Sequence, residues 1–361
     1  MGQLDDESRI RSTDSENMLQ SIDDFSDQLA SAYNLFEQFV LPTHFIQARE
    51  VILLGNGASV AASQMVTALA RATSTVPIVL CQSDQLPAHV GTQSLVIAVS
   101  YSGQTLETVA AFGQAGQRGA KLIGISAGGE IGALCRKYRA PHFQIHYGAQ
   151  ARAAFGYLFI PVLGIFRRLG LIEFETSDAI EQAIEGVRAY QARLNVRVST
   201  QQNPAKLLAE SLAGRIPLFV SSELLEPIAL RWKAQWHENA KSLAFVDTFP
   251  AITHTTAAGL GEPRGLRDQL IVVNLRSQAD SQQESLAQNL FQQLLGKLKY
   301  ECTDVVPQPS NALLQDLLML TVLGDYTSTY VAIHAGVDPT PTPHIIEMNE
   351  RLEAARAIPT Y

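Results

Sequence analysis

A short, wholly apolar run that leads directly into a glycine-containing turn is the feature that most constrains this sequence. Residues 51–54 read Val-Ile-Leu-Leu, and Gly55-Asn56-Gly57 follows at once. A strand that is apolar at every position must be covered on both faces, which is typical of a central strand in a parallel sheet. Parallel strands need long crossover connections, usually helices, so the run predicts an α/β fold.

The segments that follow alternate in the same way. After a helix predicted within residues 18–40, strands are predicted at 51–54, 77–80, 95–99, 122–125 and 142–145, with helices at 59–71, 106–118 and 131–137. This alternation predicts a doubly wound parallel sheet with right-handed crossovers.

A second set of α/β elements is predicted beyond a polar stretch at 197–203, which precedes Pro204. Helices at 153–169 and 177–194 lead into it, and it comprises strands at 216–220, 270–275 and 301–306 and helices at 224–241, 281–295, 311–335 and 343–355. A length of 361 residues suits two such units. We therefore predict a mobile tail over 1–16, an N-terminal domain over 17–195 and a C-terminal domain over 204–361.

Composition excludes several classes of protein. The net charge of −8 disfavours a nucleic-acid binder, because phosphate backbones are held mainly by Lys and Arg. Cys81, Cys135 and Cys302 lie far apart, as expected of core residues in a reducing compartment. The polar N-terminus lacks the apolar segment of a signal peptide, and no apolar run approaches the ~18 residues of a membrane span. We expect a cytoplasmic protein without a membrane segment.

Hydroxyl side chains cluster after two of the predicted strands. Residues 55–59 read GNGAS and residues 100–105 read SYSGQT. Ligands of open parallel sheets bind beyond the carboxyl ends of the strands, and helix N-termini there attract phosphate. Any one of these hydroxyls is most simply an N-cap or turn residue. Two such loops after neighbouring strands favour a phosphate site instead, built from Ser59, Ser100, Ser102 and Thr105.

Two cofactor sites fit the sequence less well. The Gly55-x-Gly57 pair resembles part of a dinucleotide-binding loop, but the third glycine position is Val60 and Asp84 lies further on than the usual ~20 residues. His237-Glu238 begins like a zinc protease motif, but the second histidine position is Lys241. We predict no metal and no cofactor.

Four segments in a fixed order resemble one family. SYSGQT is similar to the phosphate loop of the sugar isomerase (SIS) domain, and ARAAFGYLF at 151–159, HENAK at 237–241 and GVDPTP at 336–341 narrow the resemblance to the bifunctional phosphoglucose/phosphomannose isomerases. The resemblance implies two SIS-type three-layer αβα halves with parallel, flavodoxin-like sheets, a sugar-phosphate substrate and a homodimer. The activity implied is conversion of glucose 6-phosphate or mannose 6-phosphate to fructose 6-phosphate through an enediolate.

The same resemblance implies roles for individual residues. Glu238 would move the proton between C1 and C2, Arg152 would stabilise the enediolate, and His254 would open the sugar ring, from the same or the partner subunit. Gly57 and Thr340 would contact the sugar, with Thr340 leaving room for either configuration at C2. Ser59, Ser100, Ser102 and Thr105, together called the hydroxyl cluster below, would bind the phosphate.

The sequence also departs from the family pattern. A lysine that many relatives carry on the terminal helix corresponds by ungapped counting to Glu347, with His344 or Arg351 as possible substitutes. Two alternatives therefore stay open: a sugar-phosphate-binding protein without turnover, and an isomerase of another phosphosugar.

Overall fold

Nine strands and fifteen α-helices make up the part of the chain that the computed structural model describes, residues 2–174, 176–308, 310 and 312–356. The strands are β1 Glu50–Leu54, β2 Ile78–Cys81, β3 Ser94–Val99, β4 Lys121–Ser126, β5 His142–Gln144, β6 Ile216–Ser221, β7 Phe245–Thr248, β8 Leu270–Leu275 and β9 Glu301–Val305. The α-helices are α1 Glu7–Thr13, α2 Met18–Asp23, α3 Phe25–Glu37, α4 Ala58–Ala70, α5 Leu106–Gln117, α6 Gly129–Tyr138, α7 Phe155–Arg168, α8 Ala179–Gln191, α9 Pro204–Leu212, α10 Glu226–Glu238, α11 Ala251–His254, α12 Thr256–Gly259, α13 Gln282–Leu298, α14 Leu313–His334 and α15 Pro343–Arg356. None of the described helices is both long and apolar enough to cross a membrane.

The first sheet has the strand order β2-β1-β3-β4-β5 and is parallel throughout. This is the flavodoxin-like order, as predicted. Leu54 at the end of β1 lies opposite Ala98 on β3. The loops that follow these two strands therefore leave the sheet side by side.

The second sheet repeats this plan in the order β7-β6-β8-β9, again parallel. Strand β7 was not predicted from the sequence. This strand has four residues at the sheet edge, and Phe245 is half exposed, so it lacks the uniformly apolar pattern of a central strand. The predicted α/β fold with two parallel sheets is otherwise confirmed.

Helices α7, α10 and α14 join the two halves in one hydrophobic core. A single cluster of buried side chains includes Ile97 from the first sheet, Val273 from the second and Trp232 and Tyr326 between them. Helix α14 is mainly apolar and buried along almost its whole length, which is typical of a helix within a protein core. Gly324 lets α14 approach α10 closely, because a Cβ atom there would lie 2.3 Å from Trp232 Nε1.

The N-terminal segment differs from the predicted mobile tail. Residues 3–13 form a 3₁₀ turn and α1, with Leu4 and Ile10 buried. Asp5 accepts hydrogen bonds from Thr200 and pairs at 3.3 Å with the buried Lys206. Two apolar residues in a polar segment are too few to show helical periodicity, so the sequence did not reveal this packing. Met1 and residues 357–361 lie outside the described residues, and the predicted domain limits stay a prediction.

Candidate active site

Hydroxyl groups from two loops meet at the carboxyl edge of the first sheet. The Ser100 Oγ lies 3.0 Å from Thr105 Oγ1 and accepts a hydrogen bond from the Gly103 N–H. Ser59 Oγ, in the first turn of α4, accepts from the Tyr101 N–H at 3.3 Å. Ser102 is exposed beside them and accepts from the Gln104 N–H. The structure thus brings the two predicted loops together.

These hydroxyls do not act as helix caps. Thr105 is the N-cap residue of α5, yet its side chain makes no capping hydrogen bond, and Gly57 at the N-cap of α4 has no side chain to offer. The first N–H groups of a helix have no partner within the helix and favour an anion. Two helix N-termini and several hydroxyls therefore lie at one edge of the sheet, an arrangement that favours an anion.

Glycine is required in both loops. Gly57 has φ +56°, in the left-handed region that suits residues without a Cβ. Gly103 has φ +71°, and a Cβ atom on it would lie 2.1 Å from the Gly128 carbonyl oxygen. The loop at residues 100–105, called the hydroxyl loop below, is thus packed tightly against the loop after β4. This contact fixes the shape of the hydroxyl loop.

Tyr101 connects the hydroxyl loop to the segment that leads into Arg152. Its hydroxyl donates to the Tyr147 carbonyl and accepts from the Ala149 N–H at 3.1 Å. Residues 151–153 then form a 3₁₀ turn that carries Arg152. The position of Arg152 is therefore coupled to that of the hydroxyl cluster.

Arg152 is the centre of a second polar cluster. Its side chain is only 4% exposed, and its Nη1 lies 3.5 Å from Glu238 Oε2. Its Nε donates to Asn239 Oδ1 at 2.8 Å, and its Nη2 donates to the carbonyls of Pro339 and Thr340 at 2.9 and 2.7 Å. Burial lowers the pKa of Arg152, and the neighbouring carboxylate of Glu238 opposes that shift. One guanidinium thus joins three segments that are distant in sequence.

Lys241 adds another positive group to this cluster. It has φ +55°, and its Nζ donates to the Pro339 carbonyl at 2.9 Å and to the Glu238 carbonyl. Burial and the charge of Arg152 lower the pKa of Lys241 to about 8, while Asp338 and Glu238 act in the opposite direction. Two cations therefore share one carbonyl beside Glu238.

Thr340 lies at the same place with an unused hydroxyl. The residue is 3% exposed, and its N–H donates to Asp338 Oδ1 at 3.0 Å. Its Oγ1 is buried without a hydrogen-bond partner among the described residues. A buried polar atom without a partner costs about 1–3 kcal/mol, so this hydroxyl is available to a ligand.

Comparisons with known proteins give the family of this chain. A family model described as the bacterial phospho-glucose isomerase C-terminal SIS domain matches residues 201–352, and a SIS domain model matches residues 44–150. A bifunctional phosphoglucose/phosphomannose isomerase from Caldicellulosiruptor bescii is 30% identical over 336 residues, which are 93% of this chain and 98% of the relative. The chain belongs to this isomerase family. The resemblance drawn from the four sequence segments is confirmed.

The chain is also similar to proteins with other named activities. A D-glucosamine-6-phosphate 4-epimerase from Sulfolobus acidocaldarius is 32% identical over 167 residues, 46% of this chain and 51% of the epimerase. The C-terminal domain of a glucosamine-fructose-6-phosphate aminotransferase from Francisella tularensis superposes with a TM-score of 0.70 at 14% identity, covering 90% of this chain and 98% of that domain. The second likeness supports the two-sheet SIS fold alone.

Two residues that the family pattern singled out make no described contact with the Arg152 cluster. His254 is exposed at the end of α11, and no described hydrogen bond or ion pair joins it to Arg152 or Glu238. Glu347 is exposed on α15 and pairs with Arg351 at 2.5 Å. The carboxylate that replaces the lysine of many family members is thus already paired on the surface of α15.

Three other residues of the cluster had no predicted role. Asn239 and Lys241 stand in the HENAK segment, where only Glu238 was assigned a function. Asp325 is a fully buried carboxylate in the apolar helix α14. A charge in such a helix requires a buried partner, and that signal was present in the sequence.

Proposed function

We propose that this chain interconverts glucose 6-phosphate and mannose 6-phosphate with fructose 6-phosphate. The observation that carries the proposal is the buried guanidinium of Arg152 at 3.5 Å from the quarter-exposed carboxylate of Glu238. A carboxylate paired with a fixed cation supplies the base and the oxyanion stabiliser that an enediolate reaction needs. Family membership supports the choice of sugar phosphates as substrates.

In this mechanism the hydroxyl cluster holds the phosphate. Ser59, Ser100, Ser102 and Thr105 donate to its oxygens, and the N-termini of α4 and α5 contribute the positive ends of their helix dipoles. Gly57 lets the backbone approach the ligand. Neutral donors at helix N-termini suffice for such a dianion without a lysine in the loop.

Glu238 then transfers the hydrogen between carbon atoms. Its carboxylate removes the proton from C2 of the open-chain aldose, and the C2–H electrons form the C1–C2 double bond as the carbonyl electrons move to O1. Arg152 stabilises the resulting enediolate. Glu238 returns the proton to C1 while the O2 proton passes to O1, which gives the ketose. Atoms and electrons balance within the sugar, so no oxidant is required.

His254 and Thr340 complete the proposal. Ring opening requires a proton donor and acceptor at O5 and O1, and we assign it to His254 of the partner subunit in a homodimer, because no described hydrogen bond or ion pair of one chain joins His254 to Glu238. The buried hydroxyl of Thr340 faces no protein partner among the described residues, which supports a role in contacting the sugar near C2. Sedimentation tests the dimer; an active monomer would contradict it.

Glu238→Gln tests the base directly. The variant keeps the size and hydrogen-bonding capacity of the side chain but loses the proton acceptor, and we expect kcat to fall by about 10²–10⁴-fold with sugar-phosphate binding retained. A coupled assay from fructose 6-phosphate towards each aldose measures it. Glu226→Gln at the exposed start of the same helix is the matched control. Turnover that survives Glu238→Gln would remove Glu238 from this role.

A second candidate is chemistry on an amino-sugar phosphate, which the partial likeness to the glucosamine-6-phosphate epimerase favours. A separate reaction with glucosamine 6-phosphate, with its products resolved by chromatography, distinguishes the two substrates. A protein that only senses sugar phosphates would show a thermal shift with ligand and no turnover of any of them.

A further inference from the structure

A buried carboxylate in α14 anchors the polar network beneath Arg152. Asp325 accepts from Arg231 Nη2 at 2.7 Å and from Gln235 Nε2 at 2.9 Å, both on α10. Burial raises the pKa of Asp325, and the guanidinium of Arg231 opposes that shift. Buried ion pairs contribute little net stability compared with apolar residues of similar volume. Stability alone therefore does not account for a charged pair at this place.

The partner of Asp325 also holds the backbone of Arg152. Arg231 Nη2 donates to the Arg152 carbonyl at 3.0 Å, and its guanidinium lies over the Phe155 ring at 4.2 Å from the centroid. The Arg231 guanidinium thus holds the turn that carries Arg152, and Asp325 on α14 holds that guanidinium.

Asn239 holds the side chain of Arg152, and its orientation follows from the direction of the surrounding hydrogen bonds. Ser328 and Thr329 donate their hydroxyl protons to the Asp325 carbonyl at 3.0 and 2.9 Å. A hydroxyl has one proton, so both oxygens can only accept from Asn239 Nδ2, at 3.1 and 3.3 Å. The amide oxygen must then face Arg152 Nε, where the bond is 2.8 Å.

We propose that Asn239, Arg231 and Asp325 are positioning residues that hold Arg152 in the orientation needed opposite Glu238. The inference rests on the proposed function, in which Arg152 stabilises the enediolate. Backbone and side chain of Arg152 are both tied, through different groups, to one turn of α14 at residues 325–329. The register of α14 against α10 therefore sets the position of the guanidinium.

Asn239→Leu tests the proposal because leucine has similar volume and no hydrogen-bonding group. We expect kcat to fall by about 10²-fold, the effect of a displacement near 1 Å at a reacting centre, with little change in KM. Thr327→Val is the control: Thr327 is equally buried on α14, and the one hydrogen bond described for its side chain runs to the Leu323 carbonyl of its own helix. Its kcat should match the parent.

A double-mutant cycle separates positioning from a general effect on folding. In an Arg152→Lys background, which lacks the Nε donor, Asn239→Leu should reduce kcat no further. An unchanged kcat for Asn239→Leu alone, or an equal loss in both backgrounds, would overturn the inference. If Asn239→Leu fails to fold, Ser328→Ala replaces it, with a smaller loss that must again vanish in the Arg152→Lys background.

A readout independent of turnover keeps the two proposals distinct. The ¹⁵N–¹H signal of Arg152 Nε, identified by its loss in Arg152→Lys, should exchange slowly with water in the parent protein and faster in Asn239→Leu. Equal exchange rates would refute the positioning role even if the enzyme is active. Absence of turnover in the parent protein with this exchange difference would refute the proposed function alone.

Discussion

The carboxyl edges of the two parallel sheets are built alike but carry different side chains: hydroxyl groups at the first edge, and a hydroxyl group paired with a carboxylate at the second. At the first edge, Ser59, Ser100 and Thr105 follow β1 and β3, and their described hydrogen bonds run to one another and to backbone N–H groups. At the second edge, Ser222 and Asp280 follow β6 and β8. The Asp280 carboxylate accepts from Ser222 Oγ at 2.7 Å, from the Ser277 N–H at 2.9 Å and from Gln288 Nε2 at 3.4 Å.

The two edges differ in whether a carboxylate of the chain occupies the hydrogen-bond donors, and this difference supports different roles for the two halves. A carboxylate of the chain already satisfies the donors at the second edge, whereas the hydroxyls at the first edge meet no acidic side chain in their described bonds. The second half instead contributes charged groups from the end of α10. The proposed phosphate site thus belongs to one half and the proposed base to the other.

Placing a carboxylate at the first edge should have the largest effect. Like charges about 4 Å apart near a protein surface repel by about 4 kcal/mol, so Ser102→Asp should lower kcat/KM by about 10²–10³-fold, mainly through KM. Ser102 is exposed, which spares the fold. Ser102→Asn, of the same size without the charge, should lose far less. Equal losses in the two variants would contradict a phosphate site at this edge.

Removing the carboxylate from the second edge should affect stability rather than activity. Asp280→Asn weakens hydrogen bonds to a charged acceptor, and we expect the free energy of unfolding to fall by about 1–3 kcal/mol. Urea unfolding measures this, with the exposed Asp268→Asn as the control. Activity should stay within about twofold. A large loss of kcat in Asp280→Asn would mean that the second edge takes part in the reaction.

The charge of Lys241 should give a smaller, pH-dependent effect. As the pH rises through about 8, Lys241 loses its proton, and the site loses a positive charge beside Glu238. We expect kcat/KM for a dianionic substrate to fall by about fivefold over this range, as for an exposed pair in water. The Lys241→Arg variant should keep its charge, so its kcat/KM should not decline over this range. The kcat/KM of Lys241→Met should be low and independent of pH. A decline that persists in Lys241→Arg would assign it to another group.

The same group makes an opposite contribution to stability. Its pKa in the folded protein, about 8, lies below the ordinary value of 10.5, so the unfolded state binds more protons between these pH values. The contribution of Lys241 to the free energy of unfolding therefore rises with pH across that window. Comparing urea unfolding of the parent protein and Lys241→Met at both ends of the window measures the difference.

Runs of apolar residues in the sequence predicted most of the strands and helices. The mainly apolar runs that became β1, β3 and β8 are visible in the sequence because each reflects burial on both faces of a sheet. The edge strand β7 and the packed N-terminal helix α1 were not predicted, because their burial is partial and depends on contacts with distant segments.

Short-range patterns in the sequence predicted the two parallel sheets, the two hydroxyl loops at neighbouring strand ends and the family, since each depends on residues within a few positions of one another. The contacts of Arg152 with Asn239, 87 residues away, and with the Pro339 carbonyl, 187 residues away, could be found only in the folded chain. Bonds near 3 Å between such segments depend on how α10 and α14 pack, and that packing is set by the whole core rather than by any local run of residues.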